Sequence, residues 1–132
     1  VIDTEGDCAE WTFPAEPGAV RSARVVVRDQ LRGWDLDGLA DLTALLVSEL
    51  VTNSLRHATG PIGVRLVRPA AVADALRVEV SDPLPDPPRE RVAHPEDEGG
   101  RGLQLVAGAS RSWGTRPGTN GKTVWFELAL PG

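Results

Sequence analysis

The chain has 132 residues, is 41% hydrophobic and 25% charged, and carries a formal net charge of -5. That length suits one domain with one core, and the acidic balance argues against direct binding of nucleic acid or an anionic membrane through a basic surface. No apolar run approaches the roughly 20 residues of a membrane span, and no signal-peptide pattern opens the chain. The single cysteine, Cys8, excludes an internal disulfide and suits a reducing, cytoplasmic setting.

Residues 1–9 are polar and read as an N-terminal tail, with the domain proper over 10–132. The chain starts at Val1 and has no methionine, so a processed chain or a domain of a longer protein is expected. "EWTF" (10–13) alternates and is aromatic, which predicts a strand that Pro14 and Pro17 end. Over 18–34, Val20, Ala23, Val27 and Leu31 recur at helical spacing, with Arg21, Arg24, Arg28 and Arg32 as the wet face. Asp35 and Asp37 punctuate, and a second helix is expected from about Gly38 to Ala58. "IGVRLVR" (62–68) and "ALRVEVSD" (75–82) alternate and predict a hairpin of two strands. The proline-rich, charged stretch 83–100 has no apolar period; loops of this length in compact domains are often lids or binding loops. A helix restarts at about Arg101, and strands are expected over 111–115 and 122–130. The order β-α-α-β-β-loop-α-β-β predicts an α/β domain of the α+β two-layer kind. Its mixed, mostly antiparallel sheet would carry about three helices on one face. The four tryptophans, Trp11, Trp34, Trp113 and Trp125, read as core and rim packing rather than a ligand cage.

The second helix raises a problem. If Leu42, Leu46 and Leu50 mark its buried stripe, a turn of about 100° per residue puts Glu49, Asn53 and His57 on that stripe too. Burying an unpaired amide costs roughly 1–3 kcal/mol, and an unpaired charge more. Either the helix end projects past the core, or something binds these residues. The other segments favour a ligand. The strand 75–82 ends on the carboxylate of Asp82, a lid-length loop follows, and "GGRGL" (99–103) opens a helix. Glycines there expose backbone N–H groups and the positive end of the helix dipole to an anion. Any one of these parts is weak. In this order they suit a nucleotide: polar residues for metal and phosphate, an acid to read the base, a cover, and a phosphate cradle.

"SELVTNSLRHA", "EGGRGLQLV", "GKTVWFEL" and "WTFPAEPGAVRSARVVVRDQL" together resemble the GHKL (Bergerat-fold) ATPases, specifically the bacterial anti-sigma-factor serine/threonine kinase branch. The resemblance covers nearly the whole chain and implies the Bergerat ATP-binding fold, with ATP and Mg²⁺ as cofactors. It implies Glu49 as general base, Asn53 as the Mg²⁺ ligand, and His57 near the phosphates. Asp82 would accept a hydrogen bond from the adenine amino group, with Thr123 assisting. Gly100, Arg101, Gly102 and Leu103 would form the phosphate-wrapping start of the helix, under a lid over 83–100. Two departures stand out. "DPLPD" (82–86) has Leu84 and Asp86 where family members often carry glycine, and "EDEGG" (96–100) has Glu98 where kinase members tend to carry a base.

The function this implies is an ATP-dependent kinase that phosphorylates a Ser or Thr of a STAS-type anti-anti-sigma partner and binds a sigma factor, as a homodimer. The alternative is a nucleotide-dependent regulatory or partner-binding module with weak or lost kinase chemistry. A histidine-kinase ATP domain fits less well, since no phosphoacceptor helix pair is present and the chain is short.

Overall fold

Backbone pairing, more than any single side chain, decides where the strands begin. In the computed structural model, which describes residues 7–57, 60–68, 74–83, 98–118 and 121–130, the strands are β1 (Asp7–Phe13), β2 (Ile62–Arg68), β3 (Ala75–Asp82), β4 (Ser112–Gly118) and β5 (Gly121–Ala129). The helices are α1 (Gly18–Gly33), α2 (Asp37–His57) and α3 (Glu98–Ala109). The side chains of Asp7, His57, Glu98 and Arg101 lie outside that description. β1 starts earlier than the expected 10–13, inside the expected tail, because Asp7, Cys8 and Ala9 pair with Arg68, Val67 and Leu66 of β2.

The strands form one five-stranded sheet in the order β1-β2-β3-β5-β4. The sheet expected as mostly antiparallel is antiparallel at each of these pairs. Cross-strand partners share a face and successive residues alternate. Val64, Val80 and Val124 therefore line up across three strands, as do Leu66, Val78 and Phe126. All six are buried, and this face carries the helices: α1 contacts β1, α2 contacts β2 and β3, and α3 contacts β4. The result is an α+β two-layer sandwich. None of the described helices is long and apolar enough to cross a membrane.

The turn from α1 into α2 has a clear local cause. Leu36 donates its N–H to the Leu31 carbonyl at 2.8 Å and Asp35 donates to the Arg32 carbonyl at 3.0 Å. Asp35 sits between them at φ 62, in the left-handed region. This is the Schellman arrangement, with aspartate in the place glycine usually takes and an apolar contact across the turn. Leu31 and Leu36 supply that contact, both buried in the core. Arg28 then ties α1 to Asp41 of α2 at 3.1 Å.

α2 departs from the expected stripe. Its buried residues are Ala40, Thr43, Ala44, Leu46, Val47, Ser48, Leu50, Val51 and Ser54, whereas Leu42 is half-buried and Leu45 exposed. At about 100° per residue this wide arc centres near Val47, not Leu46. A helix flanked by α1, the sheet and α3 is covered on more than one stripe. Glu49 and Asn53 consequently fall on the rim of the arc, half-buried, where a ligand can reach them.

The sheet face away from the helices carries charge. Glu79 is only 8% exposed there. It is held by Arg77 at 3.0 Å, Arg65 at 3.5 Å and Arg116 at 3.7 Å. Arg77 also stacks over Trp125, 4.3 Å from the ring centroid, and that indole lies flat on Gly114. The tryptophans do pack, as expected, although Trp125 packs on the open face and Trp113 is exposed. Burial pushes the Glu79 carboxyl up, but the Arg77 hydrogen bond and the charges of Arg116, Arg65 and Arg77 outweigh it, so the group is held below the usual carboxylate range. A depressed folded pKa stabilises the fold above the unfolded pKa, and that stability is lost as pH falls through the folded one. Glu79→Gln is expected to cost roughly 1.5–3 kcal/mol at neutral pH. It should also flatten the fall in stability below about pH 4.5. Urea unfolding from pH 7 to pH 3 checks both; parallel curves for the two proteins would exclude the cage as a source of stability.

Candidate functional site

Three elements converge at one end of the sandwich. α2 brings Glu49 and Asn53, one turn apart on its half-buried rim. α3 brings its N-terminus: Gly102 is buried so close to α2 that a Cβ there would lie 3.6 Å from the Glu49 carbonyl oxygen and 3.7 Å from Glu49 Oε1. These are ordinary contact distances, so the packing of α3 on α2 sets the approach to the acid, and the first N–H groups of a helix have no partner within it. Leu103 anchors that turn, half-buried against the core. The helix begins at Glu98 rather than at about Arg101.

β3 brings Asp82, its last residue, whose carboxylate is only 6% exposed. Ser54 of α2, 7% exposed, donates its hydroxyl to Asp82 Oδ2 at 3.0 Å. The Asp82 backbone is pinned as well. Gly121 of β5 packs so tightly that a Cβ would fall onto the Asp82 carbonyl oxygen, and the neighbouring Pro83 packs against Gly60.

The structure thus brings Glu49 together with Gly102, and Asp82 together with Ser54. Gly100 and Arg101 lie in the first turn of α3, and His57 is the last residue of α2. Thr123 is not on this side. It pairs with Ser81, and the two hydroxyls meet at 2.8 Å on the open face, while the residue paired with Asp82 is Lys122. Alternation along β5 therefore separates Thr123 from the Asp82 carboxylate. Leu84, Asp86 and most of the expected lid lie outside the described residues. Ser54 is the site residue that sequence reasoning missed. Its signal was a polar side chain within the buried arc of α2.

Among the described residues no group of three or more His, Cys, Asp or Glu could cage a metal ion. Asn53, half-buried on the α2 rim one turn after Glu49, carries an amide oxygen of the kind Mg²⁺ takes alongside phosphate oxygens and water.

Comparison with known proteins agrees with this architecture. No curated protein matches the chain. Among solved structures, it is similar to the crystal structure of the RsbU and RsbW domains of Rv1364c from Mycobacterium tuberculosis. The TM-score is 0.68 at 21% identity, over 94% of this chain and 32% of that one, a likeness of fold. It is also similar to the blue-light activated histidine kinase EL346 of Erythrobacter litoralis, with a TM-score of 0.53 and 30% identity over 71% of this chain and 31% of that one. The chain thus spans about a third of each of these proteins. The model of the histidine kinase-like ATPase domain matches residues 13–128, from the end of β1 through nearly all of β5. The chain belongs to the histidine kinase-like ATPase domain family.

Proposed function

We propose that the domain binds ATP with Mg²⁺ and acts as a serine/threonine protein kinase of the anti-sigma-factor type. The observation that carries this reading is the pairing of Glu49 with the glycine-bearing start of α3. An acid beside a positive helix end is a favourable pair in its own right; what points to a ligand is that Glu49 stays half-buried on the α2 rim, one turn before the amide of Asn53. Phosphate at the helix end and a hydroxyl proton to be removed beside it would use both.

In this reading the N–H groups at the start of α3 bind the phosphates, with Gly100 and Gly102 allowing close approach. Asn53 holds Mg²⁺, which offsets phosphate charge when bound. Asp82 accepts from the adenine amino group. Glu49 accepts the proton of the acceptor Ser or Thr hydroxyl as its oxygen forms the new bond to the γ-phosphorus and the bond to ADP breaks. His57 and Arg101 belong to the phosphate end. The acceptor is a STAS-type anti-anti-sigma protein, and a homodimer that also sequesters a sigma factor completes the proposal. The similarity to a protein with an RsbW domain supports it.

A second reading has support from the sequence, where "EDEGG" sets the acid Glu98 just ahead of the glycines. Kinase members tend to carry a basic residue at that place, and an acid beside phosphate is repulsive. A nucleotide-dependent regulatory module with little transfer activity follows from that. Incubation with γ-labelled ATP, Mg²⁺ and STAS-domain proteins decides between the two. Label on a Ser or Thr of a partner is expected; tight ATP binding with no transfer to any of them selects the module.

A further inference from the structure

The family resemblance gives no role to the residue after Asn53, yet Ser54 makes the contact that joins α2 to the end of β3. We infer that Ser54 is a positioning residue for base recognition, fixing the Asp82 carboxylate so that the site discriminates for the 6-amino group of a purine. The inference rests on the nucleotide reading above and deepens it.

Both groups are nearly sealed from water, Ser54 at 7% and Asp82 at 6% exposure, and they are 28 residues apart in the chain. A carboxylate has two equivalent oxygens on a soft torsion, so an unheld one must be ordered when the base arrives, at a cost to affinity. Here Oδ2 is taken by the Ser54 hydroxyl. The backbone end is held by Gly121 against the Asp82 carbonyl and by Pro83 against Gly60. The acid is therefore clamped at both ends before any ligand binds. Ser54 also adjoins Asn53, so a single helical turn carries the proposed phosphate-end ligand and the group that orients the base reader. A serine serving packing alone would bond back to its own helix, as Ser48 does to the Ala44 carbonyl at 2.8 Å. Ser54 instead reaches across to another element.

The test compares ATP with purine riboside 5′-triphosphate, which lacks the 6-amino group. Dissociation constants for both are measured on wild type, Ser54→Ala, Ser54→Thr, Asp82→Ala and the Ser54→Ala/Asp82→Ala double variant. Wild type is expected to prefer ATP. Ser54→Ala should reduce that preference by roughly tenfold, the scale of one hydrogen bond to a charged group. Its affinity for purine riboside triphosphate should hardly change. Ser54→Thr, which keeps a hydroxyl, should restore the preference, and Ser54→Ala should add nothing in the Asp82→Ala background. If Ser54→Ala does not fold, Ser54→Cys, close in shape and a weak donor, carries the same comparison. Equal weakening of both ligands, or an unchanged ratio, overturns the positioning role while leaving nucleotide binding intact. A wild type that binds neither, or both alike, overturns base reading by Asp82 and this inference with it.

Discussion

Glu49→Gln is expected to leave ATP binding near wild type and to cut phosphoryl transfer by about 10²–10⁴-fold, the usual loss when a general base is removed. Glutamine keeps the length and shape of the side chain, so the close fit against Gly102 at the start of α3 survives. What disappears is the ability to take a proton. Asn53→Ala should behave differently, losing the Mg²⁺-dependent part of ATP binding while the Mg²⁺-independent part persists. Calorimetry with and without Mg²⁺ reads binding, and label transfer from γ-labelled ATP reads chemistry. Equal loss of binding in the two variants would make Glu49 a packing residue, and the kinase reading would lose its base. A charged-to-neutral change beside a phosphate could tighten ATP binding in Glu49→Gln by removing repulsion; that outcome, with transfer lost, strengthens the assignment.

Elements set by local rules were the most legible in the sequence. The α1 stripe was read correctly at Ala23, Val27 and Leu31, and Asp35 as punctuation proved to be the left-handed residue of a Schellman turn. β2 and β3 alternate strongly, and their bounds match the expected 62–68 and 75–82. Readings that needed tertiary information were less secure. The buried arc of α2 was centred one residue away from its true middle, because leucines look more buried than alanines and serines until the flanking layers are known. Leu45 is 45% exposed, whereas Ala44 and Thr43 are sealed. That shift moved Glu49 and Asn53 from the floor of the helix to its rim and hid Ser54 altogether. Thr123 was read from a motif, without the register that sends it to the open face beside Ser81. The charge cage around Glu79 was also out of reach, since Arg65, Arg77 and Arg116 come from three different strands. A pattern in one segment says which side a residue faces; it does not say who waits there.

ATP with Mg²⁺ should raise the melting temperature of wild type by several degrees, and Asp82→Ala should abolish most of that shift. A ligand at a hundred times its Kd stabilises the folded state by about 2.7 kcal/mol, and a domain of this size converts that into an easily measured change in Tm. The loss in Asp82→Ala follows from burial. At 6% exposure the carboxylate is already desolvated, so its bond to an arriving amino group is made without paying for water again. Removing it leaves an apolar gap and deprives the Ser54 hydroxyl of its Asp82 acceptor. The apo variant should remain folded, with a stability change on the order of 1–3 kcal/mol. GTP should shift wild type less than ATP, because guanine offers a carbonyl oxygen where adenine offers an amino group, and two acceptors repel. Thermal melts with each nucleotide at millimolar concentration give the answer. An unchanged wild-type melt with ATP would remove nucleotide binding as the reason for the convergence of α2, α3 and β3. A GTP shift equal to that of ATP would retain the phosphate site but strip Asp82 of its role as base reader.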